Sequence, residues 1–156
     1  ARAFRMQVIA YDLYWPAQFA EEHGIVRVHT VEEVLQQSNM VSLHLPVTEE
    51  TTDIINARTL GLMRPGAYLV NAARGELTDL NAVYEALVSG RLAGYGADVF
   101  KQEPPEKHPI MDLPNAVFTD HTGAFTEQAA LNMGKAAIDN LRTVLETGDC
   151  PTVVNR

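Results

Sequence analysis

Cys150 is the only cysteine in the 156 residues. A lone thiol excludes an internal disulfide and any zinc site built from several cysteines, and it is consistent with a reducing compartment. Long apolar runs are also missing. None approaches the ~18 residues a helix needs to cross a bilayer, and residues 1–6 hold no signal-peptide apolar region. Basic residues are scarce, with 12 Lys+Arg against 20 Asp+Glu, so the formal net charge is −8. A pI near 5.0 and the lack of a Lys/Arg cluster argue against a broad nucleic-acid face. Ten glycines are present, but none falls in a G-x-G-x-x-G pattern. Gly94-Tyr95-Gly96 lacks both the third glycine and a following helix.

What remains is ordinary globular composition, 46% hydrophobic and 21% charged, which rules out wholesale disorder. Short apolar runs alternate with helical patterns. Strands are predicted at residues 7–11, 26–29, 40–45, 67–71, 92–100 and 116–119. Thr30 with Glu33 forms a capping box that opens a short helix. Residues 56–63 and the segment after Asp79 are helical, and Thr126 caps a long helix stopped by Gly148. Leu131, Ile138, Leu141 and Leu145 share one face of that helix. Residues 101–113 are polar and proline-rich, so a surface loop is expected. Near-continuous apolar strands alternating with helices imply an α/β fold with a parallel sheet covered on both faces.

Ligands of open parallel sheets bind at the carboxyl ends of the strands, and the residues there are chemically complementary. Asp12 ends the first strand, where an acid can accept both hydroxyls of a ribose or serve as a turn residue. Arg74, followed by Gly75, can hold a carboxylate bidentately or pair with Glu76 or Asp79. Gly75 is expected to let the backbone turn. His121 can exchange a proton near neutral pH or be a plain surface residue. Glu103 can orient that ring and raise its pKa, or be a solvated loop acid. Asp98 can bind an amide or cap a turn. No metal site is predicted.

These stretches, in this order, resemble the cofactor-binding domain of the NAD-dependent D-2-hydroxyacid dehydrogenase family. The resemblance is carried by Val8-Ile9-Ala10-Tyr11-Asp12, by Ser42-Leu43-His44-Leu45-Pro46 and by the run from Tyr68 through Asn71-Ala72-Ala73-Arg74-Gly75 to Asp79. Asp98-Val99-Phe100, Glu103-Pro104-Pro105 and His121-Thr122-Gly123 complete it. It implies that Arg74 binds the substrate carboxylate and carbonyl, that His121 is the acid/base, and that Glu103 orients it and raises its pKa. It further implies that Asp12 binds the ribose and selects NAD over NADP. Leu45, Pro46, Thr51, Ala73, Arg74, Asp98, His121 and Gly123 would line the cofactor cleft. Formate dehydrogenases resemble the chain too but carry glutamine at the Glu103 position, so a 2-oxoacid/2-hydroxyacid pair is the implied substrate.

The expected fold is thus a Rossmann-like doubly wound sheet lacking its first strand and glycine-rich loop. Residues 1–6 resemble the tail of the helix after that loop, so the chain is expected to begin partway through something larger. Residues 1–148 are assigned to a partial NAD-binding domain and 149–156 to a tail leading toward a substrate domain. The missing strand would lie between those ending at Asp12 and Leu45, a gap of about 10 Å or two strand spacings. Either its neighbours close up or another chain donates a strand. Further expectations are a cytoplasmic protein, no membrane or nucleic-acid partner, a homodimer at full length, and little or no turnover by this chain alone. The alternative function is an NAD-sensing, corepressor-like binding module; a structural remnant without cofactor is a third reading.

Overall fold

The computed structural model describes residues 1–152, in two compact units, Ala1–Asp120 and His121–Arg156. The first unit alternates β1 (Val8–Ala10), α1 (Ala17–His23), β2 (Ile25–Arg27), α2 (Val31–Gln37), β3 (Met40–Leu43), α3 (Ala57–Leu62), β4 (Ala67–Asn71), α4 (Leu80–Val88), β5 (Leu92–Ala97) and β6 (Ala116–Phe118). Every strand pair is parallel. The α/β class and the parallel sheet are therefore as the alternation implied.

The strands form two sheets, β1-β2 and β3-β4-β5-β6. The break falls where the sequence placed the missing strand. The alternative in which the neighbouring strands close up is not realised, because β1 pairs only with β2 and β3 only with β4. The physical reason lies in the crossover. Helix α2 follows β2 and is anchored on the larger sheet by Leu35, which is buried in its core with Val31 and Val34 packed alongside. Glu32 also meets Arg58 of α3 at 3.3 Å. β3 emerges from that anchored helix directly into register with β4, from Met40↔Tyr68 to Leu43↔Asn71.

The core lies in the four-stranded sheet and its helices. Leu69, Leu77, Leu92, Ile55, Met63 and Ile110 are essentially inaccessible, and each contributes about 1.5–3 kcal/mol on burial. Ile110 sits in a short 3₁₀ turn, Pro109–Asp112, so the polar loop predicted for residues 101–113 is anchored into the core by Ile110, with Met111 and Leu113 packed alongside. The caps expected at Thr30, Asp79 and Thr126 are in place, and Asn56, read as the first residue of its helix, stands outside it as the cap. Asn56 caps α3 with a reciprocal box, Asp79 Oδ1 accepts from the Asn81 and Ala82 amides at the start of α4, and Thr30 Oγ1 accepts from Glu33 N. The Glu33 carboxylate, however, takes the His29 amide at 2.7 Å rather than that of Thr30. Arg91 caps the other end of α3, donating to the carbonyls of Leu60 at 3.3 Å, Met63 at 2.6 Å and Gly61. Residues 1–6, read as a helix tail, hold only a 3₁₀ turn at Arg2–Phe4.

The second unit contains α5 (Glu127–Thr147), capped by Thr126 Oγ1 on Ala129 N and closed by Gly148 at φ 77°. None of its residues is buried. Leu131, Ile138, Leu141 and Leu145 form the expected apolar face and are 61–77% exposed. Of the tail assigned to 149–156, residues 153–156 lie outside the described residues.

Candidate active site

Parallel register aligns the strand ends. Asn71 at the end of β4 stands opposite Leu43 of β3 and Ala97 of β5, and Ala97 stands opposite Phe118 of β6. The loops leaving β3, β4 and β5 therefore start from one edge.

The loop after β3 carries Leu45, half-buried against the core, and Pro46, which is exposed. Thr51 closes this loop: its hydroxyl donates to the Pro46 carbonyl at 2.8 Å and accepts from the Thr48 amide at 2.7 Å. The loop then joins the next one through Asp53 N on Glu76 O and Ile55 N on Leu77 O. Lys101 reaches across from the β5 loop to Asp53 at 2.6 Å.

The loop after β4 presents Arg74, exposed at its tip, with Nη1 donating to the Ala73 carbonyl at 2.7 Å. Arg74 forms no ion pair among the described residues, and Asp79 is occupied as a helix cap. The backbone does turn at Gly75, which opens a 3₁₀ turn, Gly75–Leu77, but its φ lies outside the left-handed region, so the turn itself does not demand glycine. The demand for glycine comes from close approach. A Cβ there would stand 2.1 Å from the Phe100 carbonyl carbon and 2.2 Å from the Lys101 nitrogen. The Arg74 loop is thereby pressed directly onto the loop carrying Glu103.

Glu103 is exposed, and its Oε1 accepts from Phe100 N at 3.0 Å, closing a tight turn beneath the carboxylate. Asp98 is half-buried and accepts from the Thr119 hydroxyl. Asp12 accepts the Tyr14 amide at 2.8 Å on one carboxylate oxygen. Its side chain is exposed, so acceptor lone pairs remain for a diol; the turn role and the ribose role are compatible. His121 opens the second unit, exposed, with a φ of 56°, and Gly123 follows it. The first unit thus brings the Arg74 and Glu103 loops into backbone contact. Asp12 is carried on the separate two-stranded sheet.

Two site residues were not singled out from the sequence. Asn71 is completely buried, and the available signal was a lone amide ending an otherwise apolar strand. Tyr95 lies beneath the same loops, with its hydroxyl 3.4 Å from Thr78 Oγ1. Burial pushes the Tyr95 phenol above its usual range, against smaller opposing effects of Thr78 and Asn71. Among the described residues no group of three or more potential ligands could hold a metal ion, and no helix is long and apolar enough to cross a membrane.

Residues 1–123 match the family described as D-isomer specific 2-hydroxyacid dehydrogenase, NAD binding domain. The chain belongs to this family. It is similar to the D-3-phosphoglycerate dehydrogenase of Methanocaldococcus jannaschii, 38% identical over 155 residues, which cover 99% of this chain and 30% of that protein. Among solved structures it resembles a glyoxylate reductase from Paecilomyes thermophila, with a TM-score of 0.91, 34% identity, and coverage of 99% of this chain and 46% of the other. It also resembles an NAD-complexed D-isomer specific 2-hydroxyacid dehydrogenase from Lactobacillus delbrueckii ssp. bulgaricus, with a TM-score of 0.87, 30% identity, and coverage of 99% and 50%. The chain thus spans half or less of the length of these relatives. The family's cofactor is NAD, and part of the chain's chemistry suits it. The Asp12 carboxylate stands exposed just past β1 with acceptor capacity beyond its Tyr14 bond, and Leu45 and Ala73 are half-buried just past β3 and β4. The G-x-G-x-x-G phosphate turn is not among these residues.

Proposed function

We propose that this chain is the NAD-binding part of a dehydrogenase that interconverts a D-2-hydroxyacid and its 2-oxoacid. The observation that carries the reading is the junction at Gly75, which sets a guanidinium loop against a carboxylate loop at the ends of adjacent strands. Arg74 binds the substrate carboxylate as a bidentate cation. His121 takes the hydroxyl proton on a ring nitrogen during oxidation and returns it during reduction. Glu103 is its supporting carboxylate in the assembled protein, holding the orientation of the ring. Asp12 accepts hydrogen bonds from the ribose hydroxyls and repels a 2′-phosphate. NAD, held through its ribose by Asp12, would supply the hydride acceptor for the oxidation of the hydroxyacid to the 2-oxoacid.

The similar proteins named above are dehydrogenases and a reductase, which favours turnover over a binding module. This chain by itself is proposed to have little or no activity, because the phosphate turn is not in it. The test is NADH oxidation with glyoxylate, hydroxypyruvate and pyruvate, using the protein at its full encoded length and the 156-residue chain in parallel. Turnover by the longer protein, lost in Arg74→Gln and His121→Asn, is expected. Undiminished turnover in both variants would refute the assignment; steady turnover by the short chain would refute only its proposed inactivity.

A further inference from the structure

Arg74 is exposed at a loop tip, and an exposed guanidinium binds a carboxylate bidentately only if its backbone is held in place. The hydrogen bonds of Asn71 supply that hold. Its side chain is fully buried. Nδ2 donates to the Arg74 carbonyl at 2.8 Å, and Oδ1 accepts from the Ala73 amide at 3.1 Å. Both polar ends of one amide thus grip the backbone on either side of the Ala73–Arg74 peptide. The Asn71 carbonyl accepts from Asp98 N at 3.1 Å, which ties the same residue to the end of β5. The Tyr95 hydroxyl is its other polar neighbour. We infer that Asn71 is a positioning residue that fixes the Arg74 loop in its substrate-binding shape. The inference rests on the assignment of Arg74 to the substrate carboxylate.

An amide is required because the grip needs one donor and one acceptor on the same planar group. Asp has the same shape and can still accept from Ala73, but it sets a carboxylate oxygen against the Arg74 carbonyl in place of a donor. Asn71→Asp therefore tests the Arg74 contact with little change in volume, and Asn71→Ala removes both contacts. Leaving a buried partner unsatisfied is costly wherever it occurs, so stability alone cannot identify a positioning role.

The decisive readout is the split between kinetic constants in the protein at full encoded length. For Asn71→Asp, the KM for the 2-oxoacid should rise about tenfold or more, while the KM for NADH stays within about threefold. If Asn71→Ala folds, its Ala73 amide should also lose protection from hydrogen exchange, measured on the 156-residue chain; Asn71→Asp should keep it. Arg74→Gln is run alongside. A silent Arg74→Gln sinks the site assignment and the proposal with it. An impaired Arg74→Gln with a silent Asn71→Asp overturns this inference alone. So does an equal rise in both KM values, the mark of general loosening.

Discussion

Replacing Gly75 with alanine tests whether the two loops are truly in backbone contact. The new Cβ would lie 2.1 Å from the Phe100 carbonyl carbon, 2.2 Å from Lys101 N and 2.5 Å from Phe100 O. Comfortable carbon contacts are about 3.5–4.0 Å, so the backbones must part by about 1.5 Å. No side-chain rotation relieves the clash, because every atom met is main chain. Overpacking of this kind costs about 1–3 kcal/mol or more. Alanine also restricts the unfolded chain, a gain of about 0.4–1 kcal/mol, and nothing in the Gly75 backbone conformation forbids it. The net expectation is a loss of about 1–2 kcal/mol, or about 0.5–1 M in urea midpoint at a slope near 2 kcal/mol/M. Gly61, inside α3, has nothing within 4 Å of its would-be Cβ, so Gly61→Ala should instead stabilise by about 0.5–1 kcal/mol. The assay is urea unfolding followed by circular dichroism and by Trp15 fluorescence, whose coincidence checks that one transition is being read. If Gly75→Ala shifts the midpoint upward with Gly61→Ala, the close approach is wrong.

Tyr95 gives stability a dependence on alkaline pH. Burial raises its pKa above the usual 10.0, so its contribution is complete below about pH 10 and is lost as pH climbs through the unfolded value toward the folded one. Urea midpoints from pH 8 to 11 should fall more steeply for the parent than for Tyr95→Phe, which at neutral pH should lose only about 0.5–1.5 kcal/mol; parallel slopes would refute this. Arg91→Met removes three charged donors from the end of α3 and should cost about 1.5–3 kcal/mol, a fall of about 3–12 °C in Tm by calorimetry. A Tm within a degree of the parent would show those carbonyls to be served by water equally well.

The strand ends and helix caps were readable because they are written locally. Asp79, Thr30 and Thr126 cap helices within three residues of themselves, and the apolar run to Asn71 announces β4. The apolar run of β5 was readable too, but what crowds its glycine was not: a Cβ at Gly94 would meet the Tyr68 ring of the adjacent strand at 3.0 Å. The turn at Gly75 was read, but the need for glycine there was not, because it is not local. What makes it glycine is Phe100–Lys101, 25 positions along the chain, and no local pattern encodes that approach. Ile110 was hidden in the same way, an apolar side chain near the end of a polar, proline-rich loop whose burial depends on a wall built elsewhere.

The candidate site illustrates why alternatives left open by position need not compete. Asp12 holds a turn through one oxygen and keeps acceptor capacity for a diol, and Glu103 closes its own turn through Phe100 N while standing exposed. A carboxylate that is to act on a ligand must first be fixed, and a main-chain amide fixes one oxygen without neutralising the group. The same logic separates Arg74 from Asn71. The exposed cation carries the chemistry that a sequence announces. The buried amide beneath it, bonded on both sides of the Ala73–Arg74 peptide, decides whether that chemistry is aimed, and only three-dimensional contact reveals it.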